Sequence, residues 1–385
     1  MKLNVGVIFG GKTVEHEASI LTAVQAISHI DSEKYEVIPI YITKDLEWYT
    51  GGCLKFLDTF KDFDLIKRYA KKVRLINKEG RYVLQKVGVV KSEVCELHLA
   101  FPMVHGANME DGSIQGYLNL IGIPYVGSNI YSSVMAQDKV FMKQVLIAND
   151  IPVTKFVWFG ERFYRNKKEE LFKQIDELKY PLMIKPATLG GSVGVETITQ
   201  KEEIDSTIER TFKFDSKVII EEKISDLVEY NCSVLLTPNG NITSEIEEIK
   251  TSKEMIEYGD KFLVGEALED SSIVRTCPAD ISEKLRKEIE TYSLAVFKLL
   301  NMRGTARIDF LYDTKSKKLY VDEVNSIPWC FAHHLWEARN ISYRELLNVM
   351  LKDAISVEVK HQEMTLTLSS DIIKNTTNAK LKEMK

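Results

Sequence analysis

Apolar runs separated by glycine turns predict an α/β fold at the start of the chain. Residues 3–9 (LNVGVIF) are mostly apolar and predict a buried strand, which a glycine pair separates from an apolar-periodic helix through Ile27. Similar runs predict strands over residues 35–43 and 97–104. Strand, glycine turn and helix in this order are typical of a doubly wound, Rossmann-like α/β domain. Because the glycines do not follow the Gly-x-Gly-x-x-Gly pattern, dinucleotide binding is not predicted.

The middle of the chain alternates predicted strands and amphipathic helices around a candidate phosphate site. The predicted strands cover residues 156–159, 181–186, 217–223, 230–236 and 242–249, and the predicted helices cover residues 167–178 and 280–300. Lys185 ends one strand, and the glycine-rich turn 190–194 (GGSVG) follows it. Successive backbone N–H groups in such a turn can hold phosphate oxygens. The polar segment 250–272 predicts a mobile loop.

Residues 304–328 contain the clearest candidate for a catalytic site. Two runs of alternating apolar and polar residues flank a polar turn here and predict a hairpin. Arg307 and Asp309 share one face of the first strand. Glu323 and Asn325 share one face of the second. If the strands pair, two carboxylates and an amide oxygen converge, which are the ligands that hold Mg²⁺ beside nucleotide phosphates, and the nearby arginine suits an anionic transition state. The alternative interpretation is the solvated face of an ordinary hairpin.

The composition is that of an ordinary globular protein. The chain has 385 residues, of which 44% are hydrophobic and 28% charged, and this length predicts two or three domains. A net charge of -5 gives no indication of nucleic-acid binding, and a strand that starts near Leu3 leads us to expect no signal peptide and no membrane association. Five scattered cysteines without metal-ligand spacing fit reduced thiols. We therefore expect a cytoplasmic enzyme that acts on small molecules.

A series of short motifs runs from about residue 3 to about residue 352. In chain order they are Phe9-Gly10-Gly11, Glu15-His16-Glu17-Ala18-Ser19, His105-Gly106, Glu110-Asp111-Gly112-Ser113-Ile114-Gln115-Gly116, Asp138-Lys139, Lys185-Pro186, Ser192-Val193-Gly194, Glu221-Glu222, Ala306-Arg307-Ile308-Asp309-Phe310 and Glu323-Val324-Asn325. Together they resemble the D-alanine–D-alanine ligase family of the ATP-grasp superfamily. One such motif would be weak, but the whole series in family order is not expected by chance.

The resemblance implies an α/β ATP-grasp fold of three domains with a Rossmann-like N-terminal domain. The expected boundaries are residues 1–130 for the N-terminal domain, 131–224 for the central ATP-grasp subdomain, 225–355 for the C-terminal ATP-grasp subdomain with the metal site, and 356–385 for a polar tail. The implied reaction joins two D-amino acids for peptidoglycan synthesis. A carboxylate attacks the γ-phosphate of ATP, and an amine converts the resulting acyl phosphate into an amide. A homodimer is also implied.

The resemblance also assigns roles to residues of this chain. The ATP-binding residues would be Lys139, Lys185, Gly190, Gly191, Ser192, Val193, Gly194, Glu221, Glu222, Lys223, Ile224 and Glu229. The ligands of Mg²⁺, or of Mn²⁺ in its place, would be Asp309, Glu323 and Asn325. The catalytic residues would be Glu15, Ser192 and Arg307. The amino-acid substrates would contact His105, Lys261 and Trp329.

Several of these residues have a simpler interpretation when taken alone. Lys139 and Lys143 could form one solvated face of a helix. His105 could be a hydrogen-bonded histidine at a strand end. The adjacent His333 and His334 have no counterpart as a metal site in the family, and we leave them as local structure or as an altered substrate contact.

The chain departs from the family on the amino-acid side. Gly191 replaces the first of two serines in the glycine turn, and Phe262 replaces a tyrosine in the mobile loop, so two hydroxyls are missing. After Pro328 the chain puts Trp329 where the family has glycine, is several residues shorter, and lacks the usual Ser-Leu-like clasp for the second substrate's carboxylate. We therefore leave the acceptor open among D-alanine, D-serine, D-lactate and another amino acid. A catalytically silent nucleotide-binding homologue is the alternative from a different class.

Overall fold

The computed structural model describes residues 2–251, 273–362, 365 and 367–374. Within these residues the chain forms three β-sheets. Lys261 and Phe262 lie outside the described residues, as does most of the predicted mobile loop 250–272. None of the helices that the structure describes is long and apolar enough to cross a membrane.

The first sheet has seven strands, in the order β6-β5-β4-β3-β2-β1-β7. Its strands are β1 (Leu3–Gly10), β2 (Tyr35–Ile42), β3 (Trp48–Thr50), β4 (Lys71–Lys78), β5 (Arg81–Lys86), β6 (Glu93–Leu97) and β7 (Leu99–Pro102), and the accompanying helices are α1 (His16–His29), α2 (Phe63–Tyr69) and α3 (Ser113–Ile121). Strand β1, next to the edge strand β7, is parallel to both of its neighbours, and the remaining pairs are antiparallel. The charged stretch 51–95 supplies most of the antiparallel extension.

The predicted first strand and glycine turn are present. Val7 and Phe9 are fully buried, because β1 is covered on both faces of the sheet. Gly10 has φ +87° and a Cβ there would lie 2.2 Å from the carbonyl oxygen of Ile42, so only glycine fits this turn. The strand predicted over residues 97–104 differs, since β6 ends at Leu97 and a separate strand, β7, begins two residues later.

The second sheet has four antiparallel strands in the order β10-β9-β11-β8. Two helices precede the sheet in the chain, and two others pack on one of its faces. In chain order the elements are α4 (Ile130–Gln137), α5 (Lys139–Ile147), β8 (Phe156–Gly160), α6 (Glu161–Ile175), β9 (Leu182–Pro186), β10 (Glu196–Ile198), α7 (Ile204–Thr211) and β11 (Lys217–Glu222). Apolar residues of α6, α7 and all four strands form one buried cluster, which includes Leu171, Ile184 and Ile208. The sheet therefore has one covered face, and its opposite face remains to line a cavity.

The third sheet has five antiparallel strands in the order β14-β13-β12-β15-β16. Its elements are β12 (Leu227–Thr237), β13 (Gly240–Thr251), β14 (Ile273–Thr276), α8 (Glu283–Leu299), β15 (Thr305–Asp313) and β16 (Lys318–Asn325). Helix α8 packs its apolar face, including Ile289 and Phe297, against this sheet. The predicted hairpin of residues 304–328 is therefore real, and it forms one side of the sheet.

The chain then returns to the first sheet. A 3-10 turn (Trp329–Ala332) leads into α9 (His333–Glu337) and α10 (Tyr343–Gln362). Asn340, with φ +62°, lies between these two helices and separates them. Leu346 and Leu351 of α10 join the same buried cluster as Phe9 of β1. The last helix therefore packs on the N-terminal domain, and it continues past residue 355, where we expected the polar tail to begin.

Candidate active site

Two adjoining cavities contain most of the predicted site residues. The inter-sheet cavity lies between the second and third sheets and is lined by Lys139, Lys185, Ser192, Glu221, Glu222, Lys223, Ile224, Glu229, Asp309 and Glu323, among others. The Glu15 cavity lies beside it and is lined by Glu15, His105, Lys139, Gly190, Gly191, Glu229, Arg307, Asp309, Glu323, Asn325 and Trp329, among others. Asp309 and Glu323 line both cavities and so mark the place where they meet. Val193 and Gly194 line neither one, and Lys261 lies outside the described residues.

The hairpin brings its polar residues together in the register that the sequence pattern suggested. Arg307 is the direct partner of Asn325, and Asp309 is the direct partner of Glu323. An irregularity in the register follows immediately after Asp309. Because side chains of paired residues lie on the same face of a sheet, all four side chains lie together.

Arg307 and Asp309 form the tightest contact in this group. Nε and Nη2 of Arg307 donate to the two carboxylate oxygens of Asp309 at 2.6 and 2.7 Å. Nδ2 of Asn325 donates to the same carboxylate at 3.0 Å. Burial acts to lower the pKa of Arg307, but the carboxylates of Asp309, Glu323 and Glu247 raise it above its ordinary value. The guanidinium is therefore a permanent charge at the junction of the cavities.

The chemistry of the Asp309, Glu323 and Asn325 donors fits a hard divalent cation. Within the described residues, no group of three or more His, Cys, Asp and Glu side chains is placed so that it could hold a metal ion. The predicted ligand set is different, because it has two carboxylates and one amide. Its carboxylates are directly opposed on paired strands, and cationic groups of Arg307 and Lys139 already compensate them. Carboxylate and amide oxygens are ligands that Mg²⁺ accepts, usually with water and phosphate oxygens completing the shell.

A buried charge network holds Lys185 on the wall of the inter-sheet cavity. Its Nζ lies 2.8 Å from Oε2 of Glu221 and 2.9 Å from Oδ1 of Asp322. Lys143 approaches the same pair, 2.6 Å from Glu221 and 3.7 Å from Asp322, and Thr154 bridges Lys143 and Glu221. Burial acts against these charges, but the two lysines lower the pKa of Glu221 and of Asp322.

Two charged members of this network, Lys143 and Asp322, were not among the predicted site residues. The interpretation of Lys143 as part of a solvated helix face is wrong, because its side chain is fully buried. Asp322 has no partner in the register, which passes from the Asp309–Glu323 pair to the Phe310–Val321 pair, so it is the extra residue of a β-bulge and lines the inter-sheet cavity together with Glu323. An acid run over residues 322–323 at the end of an apolar strand was the available signal. The sequence does not show that Lys185, 137 residues away, forms a buried ion pair with Asp322.

Two further contacts of residues in the inter-sheet cavity involve backbone groups. Nζ of Lys139 donates to the carbonyl oxygen of Leu189 at 2.7 Å and lies 3.4 Å from Oε2 of Glu323. The carboxylate of Glu222 accepts from the backbone N–H of Lys179 at 3.1 Å. Lys139 therefore connects Leu189, the residue directly before the glycine turn, to the hairpin.

The glycine turn separates the two cavities. Gly190 and Gly191 line the Glu15 cavity, and Ser192 lines the inter-sheet cavity. A Cβ on Gly190 would lie 2.7 Å from Oε1 of Glu15, so the turn approaches that carboxylate closely. Gly194 serves packing instead, because a Cβ there would meet Phe214 at 2.9 Å.

His105 and Glu110 form the buried floor of the Glu15 cavity. Nε2 of His105 shares a 2.7 Å hydrogen bond with Oγ1 of Thr22, and burial lowers the pKa of His105 to about 4. Burial and the nearby Glu15 raise the pKa of Glu110 to about 8. Glu110 also accepts from the backbone N–H of Ile327 at 2.8 Å, across more than two hundred residues of chain. It therefore ties the N-terminal loop to the segment after the hairpin.

The atypical segment after Pro328 has an unusual backbone. Three successive residues have positive φ angles, namely Cys330 (+48°), Phe331 (+53°) and Ala332 (+49°). Residues other than glycine rarely adopt this left-handed backbone conformation. The backbone N–H of Cys330 donates to Thr22 at 3.1 Å, and Phe331 packs on Phe101 with ring centres 5.4 Å apart. These contacts hold Trp329 at the wall of the cavity.

The adjacent histidines have different surroundings. His333 stacks on Tyr343 at 4.7 Å and contacts Gln25, so it belongs to local structure. His334 lines the Glu15 cavity, and its Nε2 lies 3.1 Å from Oε1 of Glu247. The interpretation as local structure therefore fits His333, and an altered substrate contact stays a prediction for His334.

A cavity between two antiparallel sheets, lined by Lys185 and Glu221 of one sheet and by Asp309 and Glu323 of the other, defines the chain as an ATP-grasp protein. The family model "D-ala D-ala ligase N-terminus" matches residues 4–128, and "D-ala D-ala ligase C-terminus" matches residues 145–352. The chain therefore belongs to the D-alanine–D-alanine ligase family. The predicted fold class and family are confirmed, and the chain is an enzyme of this class of ATP-dependent ligases.

Similar proteins cover nearly the whole chain. The D-alanine–D-alanine ligase of Thermosipho africanus is 39% identical over 91% of this chain and 93% of its own. That of Thermosipho melanesiensis is 36% identical over 97% of this chain and 98% of its own. Among solved structures, a D-Ala:D-Ser ligase from Enterococcus faecalis has 29% identity and a TM-score of 0.78, covering 92% of this chain and 100% of its own.

Proposed function

We propose that the protein joins two D-amino acids in an ATP-dependent reaction that proceeds through an acyl phosphate. The observation that carries this proposal is that Asp309 and Glu323 line both cavities, so a phosphate group held in one cavity can meet a carboxylate held in the other. The whole-length similarity to named D-alanine–D-alanine ligases supports the same reaction. The product would serve peptidoglycan synthesis.

ATP would occupy the inter-sheet cavity. Lys139 and Lys185 would contact its phosphates, the turn 190–194 would cover them, and Glu229 would hold the ribose. The adenine would lie along the segment of Glu221, Glu222, Lys223 and Ile224 at the end of β11. Asp309, Glu323 and Asn325 would hold Mg²⁺, or Mn²⁺ in its place, which would neutralise phosphate charge.

The first chemical step would form the acyl phosphate. An oxygen of the donor carboxylate attacks the γ-phosphorus, and the bond to the bridging oxygen breaks with its electron pair leaving on ADP. Arg307 lies at the junction of the cavities and would stabilise the negative charge of the phosphoryl group in transit. Glu15, with His105 and Ser192 nearby, would orient the donor through its ammonium group.

The second step would form the peptide bond. The acceptor amine attacks the acyl carbon, the tetrahedral intermediate expels phosphate, and the amine nitrogen loses a proton. Arg307 would stabilise the oxyanion of that intermediate. Both steps concentrate negative charge, so positioning and electrostatic stabilisation supply most of the catalysis.

A different acceptor is the second candidate function. Trp329 and His334 line the Glu15 cavity where the family's usual carboxylate clasp is missing. D-serine, D-lactate and other amino acids are the candidates, and a hydroxy acid would give an ester in place of an amide. A silent homologue is disfavoured, because Arg307, Asp309 and Glu323 keep a mutually supporting geometry. A homodimer and a cytoplasmic location, which the family resemblance implies, are further proposals.

Phosphate release tests the proposal. The protein is incubated with ATP, Mg²⁺ and a panel of D- and L-amino acids and D-lactate, singly and in pairs. Release with D-alanine alone would support the D-alanine–D-alanine reaction, and release with one other pair would identify a different acceptor. ATP binding without release for any pair would contradict the proposed function.

A further inference from the structure

A buried carboxylate on β13 gathers three side chains at one wall of the Glu15 cavity. Glu247 is 2% exposed. Its two oxygens accept from Nε2 of His334 at 3.1 Å and from Nδ2 of Asn231 at 3.2 Å, and Nη1 of Arg275 lies 3.6 Å away. Asn231, Arg275 and His334 all line the cavity. We call these four residues the Glu247 cluster.

The cluster continues the row of residues that contains the proposed reaction centre. Glu247 is the direct partner of Asn231, Asn231 of Asp309, and Asp309 of Glu323, so one row crosses four strands. Neighbouring strands lie about 4.8 Å apart, which puts the backbone of Glu247 about 10 Å from that of Asp309. The proposed donor-binding Glu15 comes from the N-terminal loop instead. The two substrates would therefore be held by different parts of the fold.

The charges of the cluster suit an anionic group. Burial opposes ionisation of Glu247, but His334, Arg275 and Arg307 lower its pKa to about 2, so it is an anion. Its bond to Nε2 of His334 therefore requires a proton on that nitrogen. Nδ1 of His334 has no hydrogen-bond partner within the described residues. An imidazolium ring donates from both nitrogens, so it would donate to Glu247 from Nε2 and to an incoming carboxylate from Nδ1.

We propose that His334 and Arg275, oriented by Glu247, bind the carboxylate of the acceptor amino acid. The acceptor must bring a carboxylate into a cavity that already holds several carboxylates, and a carboxylate there needs an opposite charge and hydrogen bonds. The segment that usually supplies this contact in the family is shortened here, and His334 follows directly from that segment. This inference rests on the proposed function and specifies one of its subsites.

The test compares an acid and an amide as acceptor. D-alanine and D-alaninamide are each offered as acceptor at a saturating concentration of ATP and donor, and product is separated by mass. We expect the wild type to prefer the acid by about 10- to 100-fold in kcat/KM, the range of a charge-assisted hydrogen bond. His334→Gln and Arg275→Met should raise the acceptor KM by a similar factor for the acid and change it little for the amide. His333→Gln is the matched control, because His333 does not line the cavity, and it should retain the preference.

The outcomes separate this inference from the proposed function. Absence of ligation by the wild type with every acid would contradict the proposed function itself. If the wild type ligates the acid and the amide equally well, the inference is overturned and the proposed function stands. This comparison uses the wild type alone. A lower kcat with the acid preference retained would also overturn it, since it would mean that His334 transfers a proton or supports the fold. An unchanged ATP dissociation constant in each variant checks that the protein is folded.

Discussion

Arg307 and Asp309 lie two positions apart on β15 and form a two-pronged ion pair, with hydrogen bonds of 2.6 and 2.7 Å. The same carboxylate is a predicted metal ligand, and the same guanidinium is the predicted partner of the transferring phosphoryl group. Each would therefore exchange part of this pair for a bond to ATP or to Mg²⁺. The pair keeps both charges compensated in the largely buried site until the substrates arrive.

Arg307→Ala should abolish ligation and leave ATP binding largely intact. Removing a group that stabilises charge only in the transition state lowers kcat by about 100-fold or more. Phosphate release measures the rate, and titration calorimetry measures ATP binding. Arg307→Lys keeps the charge but not the planar fork, and it should recover only part of the loss. Wild-type turnover by the alanine variant would remove Arg307 from the mechanism.

Asp309→Asn combined with Glu323→Ala should remove Mg²⁺-dependent activity, because both anionic oxygen ligands of the proposed site are lost. The measurement is phosphate release across a Mg²⁺ titration. Asp313→Asn is the matched control, since Asp313 ends β15 outside both cavities and bonds to the hairpin turn. An unchanged Mg²⁺ dependence in the double variant would mean that the metal binds elsewhere.

Lys143→Met should destabilise the protein and raise the KM for ATP. It removes one of two cations that share Glu221 and Asp322, and breaking a buried ion pair costs about 3 kcal/mol. Urea unfolding measures the first effect and initial rates the second. Lys287→Met removes an exposed pair with Glu283 and should change the free energy of unfolding by less than about 0.5 kcal/mol. Equal effects of the two substitutions would contradict the role of the network.

Phe262→Tyr combined with Gly191→Ser should raise D-alanine–D-alanine ligation if the two missing hydroxyls limit it. Each restored hydrogen bond is worth about 1 kcal/mol, or about fivefold in rate. Gly191 has φ +66°, so the serine variant alone should lower the melting temperature. The measurement is kcat/KM for D-alanine in each single variant and in the pair. An absence of any gain would move attention to Trp329.

The stability of the protein should depend on pH through His105. Burial lowers its folded-state pKa from 6.5 to about 4, so the unfolded chain takes up this proton at higher pH than the folded protein does. Stability should therefore fall by about 3 kcal/mol as the pH is lowered from about 6.5 to about 4. Urea unfolding across this range measures the slope. His105→Gln should flatten it, whereas substitution of the exposed His98 by glutamine should not.

Much of the candidate site was predictable, because its residues are close in sequence. Alternation on a strand puts Arg307 beside Asp309 and Glu323 beside Asn325, and a short polar turn returns the chain antiparallel. Lys185 at a strand end before a glycine turn is likewise a local pattern. For these residues the period of two and the turn chemistry determine the geometry before any tertiary contact forms.

The other features of the site and of the fold depend on contacts between segments that are distant in sequence, and local sequence patterns do not predict these contacts. The sequence by itself determined the hairpin, the glycine turns and the family. Only the tertiary structure decided that Lys143 is buried with Glu221, that Glu247 continues the row of Asp309, and that α10 closes the N-terminal core. The physical reason is that the two-residue period of a strand determines which of its side chains share a face. Which strand it pairs with, and in which register, is determined by burial summed over the whole chain.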